Sequence, residues 1–210
     1  MIKSAVIVDT RNDISLIDII NNHMKHLDSE WKLTIFCGLR NSHFLKKAFS
    51  EAKIISLGSD RITIDQYNAL LTSEYFWKQI EGEKVLIFQA DSMLLRKGID
   101  DFLQYDYVGA PWMFQENGGN GGLSLRTKQA MLDIIKIKPF VPHKDGNEDI
   151  YFCNNMHIVS NNMAPREVCF KFSVETIYHL GTLGYHSISR YHSPEKCNQI
   201  INQYDDKIDT

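Results

Sequence analysis

The stretch Glu83–Leu95, EKVLIFQADSMLL, decides how this chain is read. Val85-Leu86-Ile87-Phe88 is an unbroken apolar run between polar flanks. Such a run predicts a strand covered on both faces, as in the middle of a parallel or mixed sheet. Its character flips within one residue to Gln89-Ala90-Asp91-Ser92. Ligands of open α/β sheets bind at the carboxyl ends of the strands, so a carboxylate there is placed to hold a metal or a hydroxyl. A lone Asp after a strand reads first as the cap of the next turn, but Asp91 does not stand alone.

The segments before this strand alternate. Ala5–Val8 is a short apolar strand ending in Asp9-Thr10-Arg11-Asn12. Ile14, Leu16, Ile17, Ile19, Ile20, His23, Met24 and Leu27 follow at helical spacing, with Asn12 or Asp13 as cap. Trp31–Phe36 predicts a second strand, residues 41–49 a helix, and Ala52–Leu57 a third strand. Asp65 is the expected cap of a helix carrying Tyr67, Leu70 and Leu71, and Ser73 restarts a helix through Phe76, Trp77 and Ile80. Strand–helix alternation of this kind builds a βαβ sheet.

After the central strand come a strand at Tyr105–Ala110, a glycine-rich stretch at Asn117–Gly122, and Leu123-Ser124-Leu125-Arg126 leading into a helix through Ala130, Met131, Ile134 and Ile135. Glycine-rich backbone can approach a ligand closely, although a plain hairpin loop has the same composition. Asn147 can cap a helix bearing Ile150, Tyr151 and Phe152, with Glu148 and Asp149 in its first turn, where the helix dipole favours carboxylates. Val168–Val174 and Gly181–His186 read as strand and loop, and Ser193–Thr210 as a polar tail to a domain over residues 1–192.

Composition narrows the function classes. The 210 residues carry a net charge of -3, with 43% apolar and 23% charged residues, as in an ordinary globular domain. That balance, without a Lys/Arg run, argues against a nucleic-acid partner. No stretch approaches the ~20 apolar residues that span a bilayer, and the apolar run after Met1 is too short for a signal peptide. Cys37, Cys153, Cys169 and Cys197 are scattered without CxxC spacing, which points to a reducing compartment, the cytoplasm. Neither a GxGxxG nor a GxxxxGK[ST] fingerprint follows a strand. Oligomeric state is not legible.

Gln89-Ala90-Asp91-Ser92, Asp106-Tyr107-Val108-Gly109-Ala110-Pro111-Trp112, Gly119–Arg126 (GNGGLSLR) and Glu148–Phe152 stand in a telling order. Together they resemble the small GT-A-fold, nucleotide-sugar-dependent glycosyltransferase-like domains, over roughly Lys3 to His192. The resemblance implies a single GT-A-like (Rossmann-like) α/β domain with a central, mostly parallel mixed sheet flanked by helices. It implies a Mn²⁺- or Mg²⁺-dependent transferase that moves a sugar from a nucleotide-diphosphate donor, UDP being the commonest, to a hydroxyl of a glycan or other acceptor.

By the same resemblance Asp91 matches the last carboxylate of a D-x-D motif and binds the metal, with Gln89 standing where the first Asp usually is. Ser92 closes the motif. Gly121, Gly122 and the strand after them line the sugar pocket, and Arg126 is a candidate phosphate contact beside Lys97 and Arg190. Asp149, and second to it Glu148, supplies the general base of an inverting reaction. His186 matches a late histidine that joins the metal, with His143, His179 and His192 in reserve. Thr10 and Arg11 lie where base and ribose rest. Apart from the resemblance, the aromatic face of Trp112 suits a sugar ring and suits core packing equally. These residue types suit the chemistry, because a divalent cation neutralises a departing diphosphate and a carboxylate deprotonates the acceptor. A nucleotidyltransferase, and a catalytically weak sugar- or nucleotide-binding module, remain open as alternatives.

Overall fold

The computed structural model describes residues 2–160 and 162–205. In chain order it runs β1 (Lys3–Asp9), α1 (Leu16–Lys25), β2 (Trp31–Cys37), α2 (Ser42–Ala48), β3 (Lys53–Ser56), α3 (Ile64–Leu71), α4 (Glu74–Gln79), β4 (Lys84–Phe88) and β5 (Ser92–Leu94). It continues with β6 (Tyr107–Ala110), β7 (Asn120–Thr127), α5 (Lys128–Ile137), α6 (Glu148–Asn155), α7 (Arg166–Phe172), β8 (Ser173–Val174), β9 (Gly184–His186) and α8 (Pro194–Ile201).

Six strands form the central sheet in the order β3-β2-β1-β4-β7-β6. Strands β1 to β4 are mutually parallel, and only β7 runs against its neighbours. The apolar run of β4 is fully buried, and its alternate residues face opposite ways. Leu86 and Phe88 join Ala5 and Ile7 of β1 in one core, against Leu16 and Ile20 of α1. Val85 and Ile87 join Val6 and Val8 in the other, against Trp77 of α4, Met131 and Ile134 of α5, and Phe152 of α6. The period-2 alternation of a strand thus feeds two cores, one on each face of the sheet.

A small sheet, β5-β9-β8, lies beyond the end of β4. Strand β5 pairs antiparallel with β9, setting Ser92 opposite His186. Strand β8 pairs in parallel with β9, Val174 opposite Tyr185. Two distant segments of the chain are thereby brought to the residues that follow β4.

Four local expectations need correction. Residues 168–172 form the greater part of α7 rather than a strand, because Cys169 and Phe172 fall on one helical face and both are buried in the core. Thr63, not Asp65, caps α3: its hydroxyl accepts from the Gln66 N–H while the Gln66 side chain accepts from the Thr63 N–H. Ser15, not Asn12 or Asp13, precedes α1, and Asp13 instead accepts from the Ser15 N–H. The expected tail forms α8, whose Ile200 packs on Val174 and Ile188. Residues 206–210 of that tail lie outside the described residues.

Candidate functional site

A cleft of about 600 Å³ opens where β1 and β4 end. Its walls come from Asp9–Arg11 after β1, residues 62–68 at the start of α3, and Gln89–Asp91 after β4. Asn120 and Gly122 of β7, the first turn of α6, Glu175, and His186 to Tyr191 complete it. Buried Asn41 holds the first of these walls. Its amide donates to the carbonyls of Asp9 and Arg11, and its oxygen accepts from the Gly38 N–H. Thr10 is buried at this wall, while Arg11 is exposed and pairs with Asp9.

His186 is the hub of one side. Its Nε2 lies 3.3 Å from Asp91 Oδ1 and 3.1 Å from Gln89 Oε1, and its Nδ1 lies 3.1 Å from Glu175 Oε1. Gln89 is oriented from behind, because its Nε2 donates to the Tyr67 hydroxyl at 3.1 Å. Burial alone would lower the His186 pKa, but hydrogen bonds to Asp91 and Glu175 outweigh it and raise the value to about 9. The same contact from His186 holds Asp91 below the usual carboxylate range. The next residue, Ser187, takes a left-handed backbone at φ 51°, and its N–H donates to the Asp91 carbonyl. A non-glycine residue held there is a sparsely populated conformation of the kind that clusters at ligand sites.

Asp149 and Glu148 occupy the N-terminus of α6 and are both buried. They have different partners. Glu148 makes a two-armed ion pair with buried Arg126, and its N–H is capped by Asn68 Oδ1 at 3.0 Å. Asp149 accepts from the Gly121 and Ile150 N–H groups at 2.9 and 2.8 Å and has no cationic partner among the described residues. Burial, and then the neighbouring Glu148 charge, push the Asp149 carboxyl up to about 6.

The two halves meet across β7. A side chain on Gly122 would run into the His186 ring, and one on Gly121 would run into Glu148 and Arg126. The glycines of the GNGGLSLR segment therefore let a strand backbone pass directly between both sets of groups.

Among the sequence-predicted residues, the cleft brings together Thr10, Arg11, Gln89, Asp91, Gly122, Glu148, Asp149, His186 and Arg190. Others fall elsewhere. Ser92 turns into the core, donating to the Gln89 carbonyl beside His23. Arg126 lies beneath the cleft and is spent on Glu148, so it is not available to a phosphate. Gly121 contributes its N–H to Asp149 rather than a wall. Lys97, His143, His179, His192 and Trp112 do not line the cleft. Sequence reasoning missed Glu175, Tyr67 and Asn68. Tyr67 and Asn68 sit inside an ordinary amphipathic helix pattern, and Glu175 belongs to no motif, so no local signal marked them.

No group of three or more His, Cys, Asp or Glu side chains suited to a metal ion occurs among the described residues. Asp91 Oδ1 and Gln89 Oε1 nevertheless both lie within 3.3 Å of His186 Nε2. One carboxylate, one imidazole and one amide oxygen make an incomplete set, of the kind hard divalent cations complete with water and phosphate oxygens. Holding such an ion there requires His186 to lose its Nε2 proton, because the raised pKa keeps the ring protonated at neutral pH.

No curated protein matches the chain. Solved structures do match in fold. The S. aureus protein TarS (residues 1–349), in complex with UDP-GlcNAc, aligns with a TM-score of 0.56 at 18% identity, over 96% of this chain and 65% of that one. The mannosyltransferase PcManGT from Pyrobaculum calidifontis, in complex with GDP-Man and Mn²⁺, aligns with a TM-score of 0.54 at 14% identity, over 79% and 55%. The glycosyltransferase GlyE of Streptococcus pneumoniae TIGR4 aligns with a TM-score of 0.53 at 11% identity, over 99% and 64%. The chain thus spans between 55% and 65% of the length of these structures. At such identities the likeness shows the fold alone, and that fold is the GT-A-like α/β domain expected from the sequence. Residues 51–187 match the family model described as protein of unknown function (DUF5672), and the chain belongs to that family.

Proposed function

We propose that the chain is a nucleotide-sugar-dependent glycosyltransferase. The observation that carries the proposal is one cleft, at the carboxyl ends of β1 and β4, holding the Asp91–His186 pair together with a buried, cation-free carboxylate at Asp149. The neighbours of the same fold, bound to UDP-GlcNAc or to GDP-Man and Mn²⁺, support the same donor class.

In this reading Thr10 and Arg11 line the nucleotide end. Asp91, the Gln89 oxygen and His186, once it gives up its Nε2 proton, would hold Mn²⁺ or Mg²⁺, which would neutralise charge on the donor diphosphate. Exposed Arg190, at the cleft wall, reaches the phosphates. Asp149 accepts the proton of an acceptor hydroxyl as that oxygen bonds to the sugar carbon and the bond to the diphosphate breaks. A pKa of about 6 leaves Asp149 ionised at neutral pH yet basic enough to take the proton. Glu148, neutralised by Arg126, positions α6 rather than acting as base. Attack assisted from one side, with the diphosphate leaving on the other, inverts the sugar carbon. The acceptor is a glycan or another hydroxyl compound.

Gln89, in place of a carboxylate, favours a second reading, a nucleotide-binding module of low activity. A thermal-shift screen of UDP, GDP, CMP and their sugars, with and without Mn²⁺, separates the two from a fold with no ligand. A ligand at ~100 times its dissociation constant adds about 2.7 kcal/mol to stability. A Mn²⁺-dependent shift that Asp91→Ala abolishes, with turnover of the sugar nucleotide, is the expected result. A shift without turnover selects the binding module, and no shift with any nucleotide overturns the donor assignment.

A further inference from the structure

The loop of residues 111–119, between β6 and β7, shows the solvent two large apolar side chains: Met113 is 75% exposed and Phe114 70%. The Phe114 ring stacks on Trp112, with centroids 5.0 Å and planes 17° apart, and Trp112 is itself buried in the core on the α6 side of the sheet. The loop is held in shape. Nη2 of Arg166, at the start of α7, lies within 3.3 Å of the carbonyls of Trp112, Met113 and Gln115, and the Gly118 N–H donates to the Ala164 carbonyl. A fixed apolar patch, with a ring packed on one face and open on the other, marks a site of interaction.

Position names the partner. Strand β7 runs against both β4 and β6, so β4 and β6 end at the same edge of the sheet, where the cleft opens. Along that edge Thr10 and Arg11 follow β1, Gln89 and Asp91 follow β4, Asp149 accepts from Gly121 of β7, and the loop follows β6. Asn120 joins cleft to loop, since it lines the one and pairs with Ala110, the last residue before the other. A donor with its nucleotide at β1 and its diphosphate at β4 brings the sugar carbon to Asp149. The acceptor then approaches from the remaining side, that of β6.

The chemistry of the loop matches a neutral sugar ring. An aromatic face takes the apolar C–H face of a pyranose, and the amides of half-buried Gln115 and exposed Asn117, next along the chain, suit the hydroxyls at its rim. Glu116 is the one charged residue of the loop, so the patch lacks the lysines and arginines by which apolar surfaces dock on anionic lipid. We infer that Phe114, backed by Trp112, is the stacking platform for a sugar ring of the acceptor, and that the acceptor is therefore a glycan. The inference rests on the transferase reading of the cleft.

The test applies the biotin-tagged full chain, with Mn²⁺ and UDP or GDP, to an array of printed neutral and acidic oligosaccharides. Wild type, Phe114→Ala and Phe114→Tyr are compared, and the thermal shift with each nucleotide is measured on the same proteins. Wild type is expected to bind a set of glycans, and Phe114→Ala to bind them about 10-fold more weakly. Phe114→Tyr, which keeps the aromatic face, is expected to bind as wild type does. The melting point and the nucleotide shift should be the same in all three, because the Phe114 side chain stands outside the core and the cleft. Wild type that binds no glycan, or Phe114→Ala that binds as well as wild type, overturns the inference. So does Phe114-dependent sedimentation with vesicles of phosphatidylglycerol and phosphatidylcholine in place of glycan binding, which would assign the patch to a lipid surface. A wild-type protein with no nucleotide shift sinks the transferase reading itself, whereas a nucleotide shift without Phe114-dependent glycan binding sinks this inference alone.

Discussion

Arg126 and Glu148 form a buried two-armed ion pair, Nη1 to Oε2 at 2.5 Å and Nη2 to Oε1 at 2.9 Å. The guanidinium also stacks 4.8 Å above the Tyr107 ring and 5.6 Å from that of Phe152, and its Nε donates to Ser124. Burial would lower the Arg126 pKa, but the Glu148 charge more than offsets this, so the arginine stays charged. The pair ties β7 to the first turn of α6, and so sets where Asp149 stands.

Removing one partner leaves an uncompensated buried charge, which costs about 3–5 kcal/mol. Arg126→Met is therefore expected to lose most of that amount in urea unfolding at pH 7. A loss below about 1 kcal/mol, the ordinary worth of an exposed pair, would show that the pair does not carry this junction.

Asp149 is expected to give the acidic limb of the rate profile. Its pKa is raised to about 6, so the carboxyl is protonated and unable to accept a proton below that pH. Turnover should fall tenfold per pH unit below about 6, and Asp149→Asn should lose about 10²- to 10⁴-fold in kcat while still binding the donor nucleotide. A variant that keeps wild-type kcat, or a flat profile down to pH 5, would remove Asp149 from the base role.

His23 should make the fold acid-sensitive. It is fully buried on α1, stacked 4.1 Å from the Phe88 ring, with Nδ1 on the Ile19 carbonyl and Nε2 by Ser92. Burial depresses its pKa from 6.5 to about 4, so the fold prefers the neutral ring. The stability this provides is complete above pH 6.5 and is lost as pH falls from 6.5 to about 4, at about 1.4 kcal/mol per unit. Urea unfolding at pH 7 and pH 5 should show the decline in wild type and a smaller one in His23→Gln. Equal declines in the two proteins would assign the acid sensitivity to other groups.

The sequence by itself determined the sheet and the residue types that line the cleft. The apolar run at Val85–Phe88 records burial on two faces, and burial acts on every residue of the run, so it is written locally. Asp91 after a strand, and Glu148-Asp149 opening a helix, are legible for the same reason: their positions relative to an element are positions along the chain. Residues 168–172 misled because Val168, Cys169 and Phe170 suit a strand by type, and only packing of Cys169 and Phe172 against the core decided for a helix.

Tertiary structure alone decided the division of labour. Gln89 and His186 are 97 positions apart and meet because β5 pairs with β9. Glu148 and Arg126 meet because α6 lands on β7, which leaves Asp149 as the carboxylate without a cation. Glu175 reaches His186 through the β8–β9 pairing. A side chain's charge state and partner depend on what distant segments bring within about 3 Å, a short-range interaction that sequence spacing does not encode.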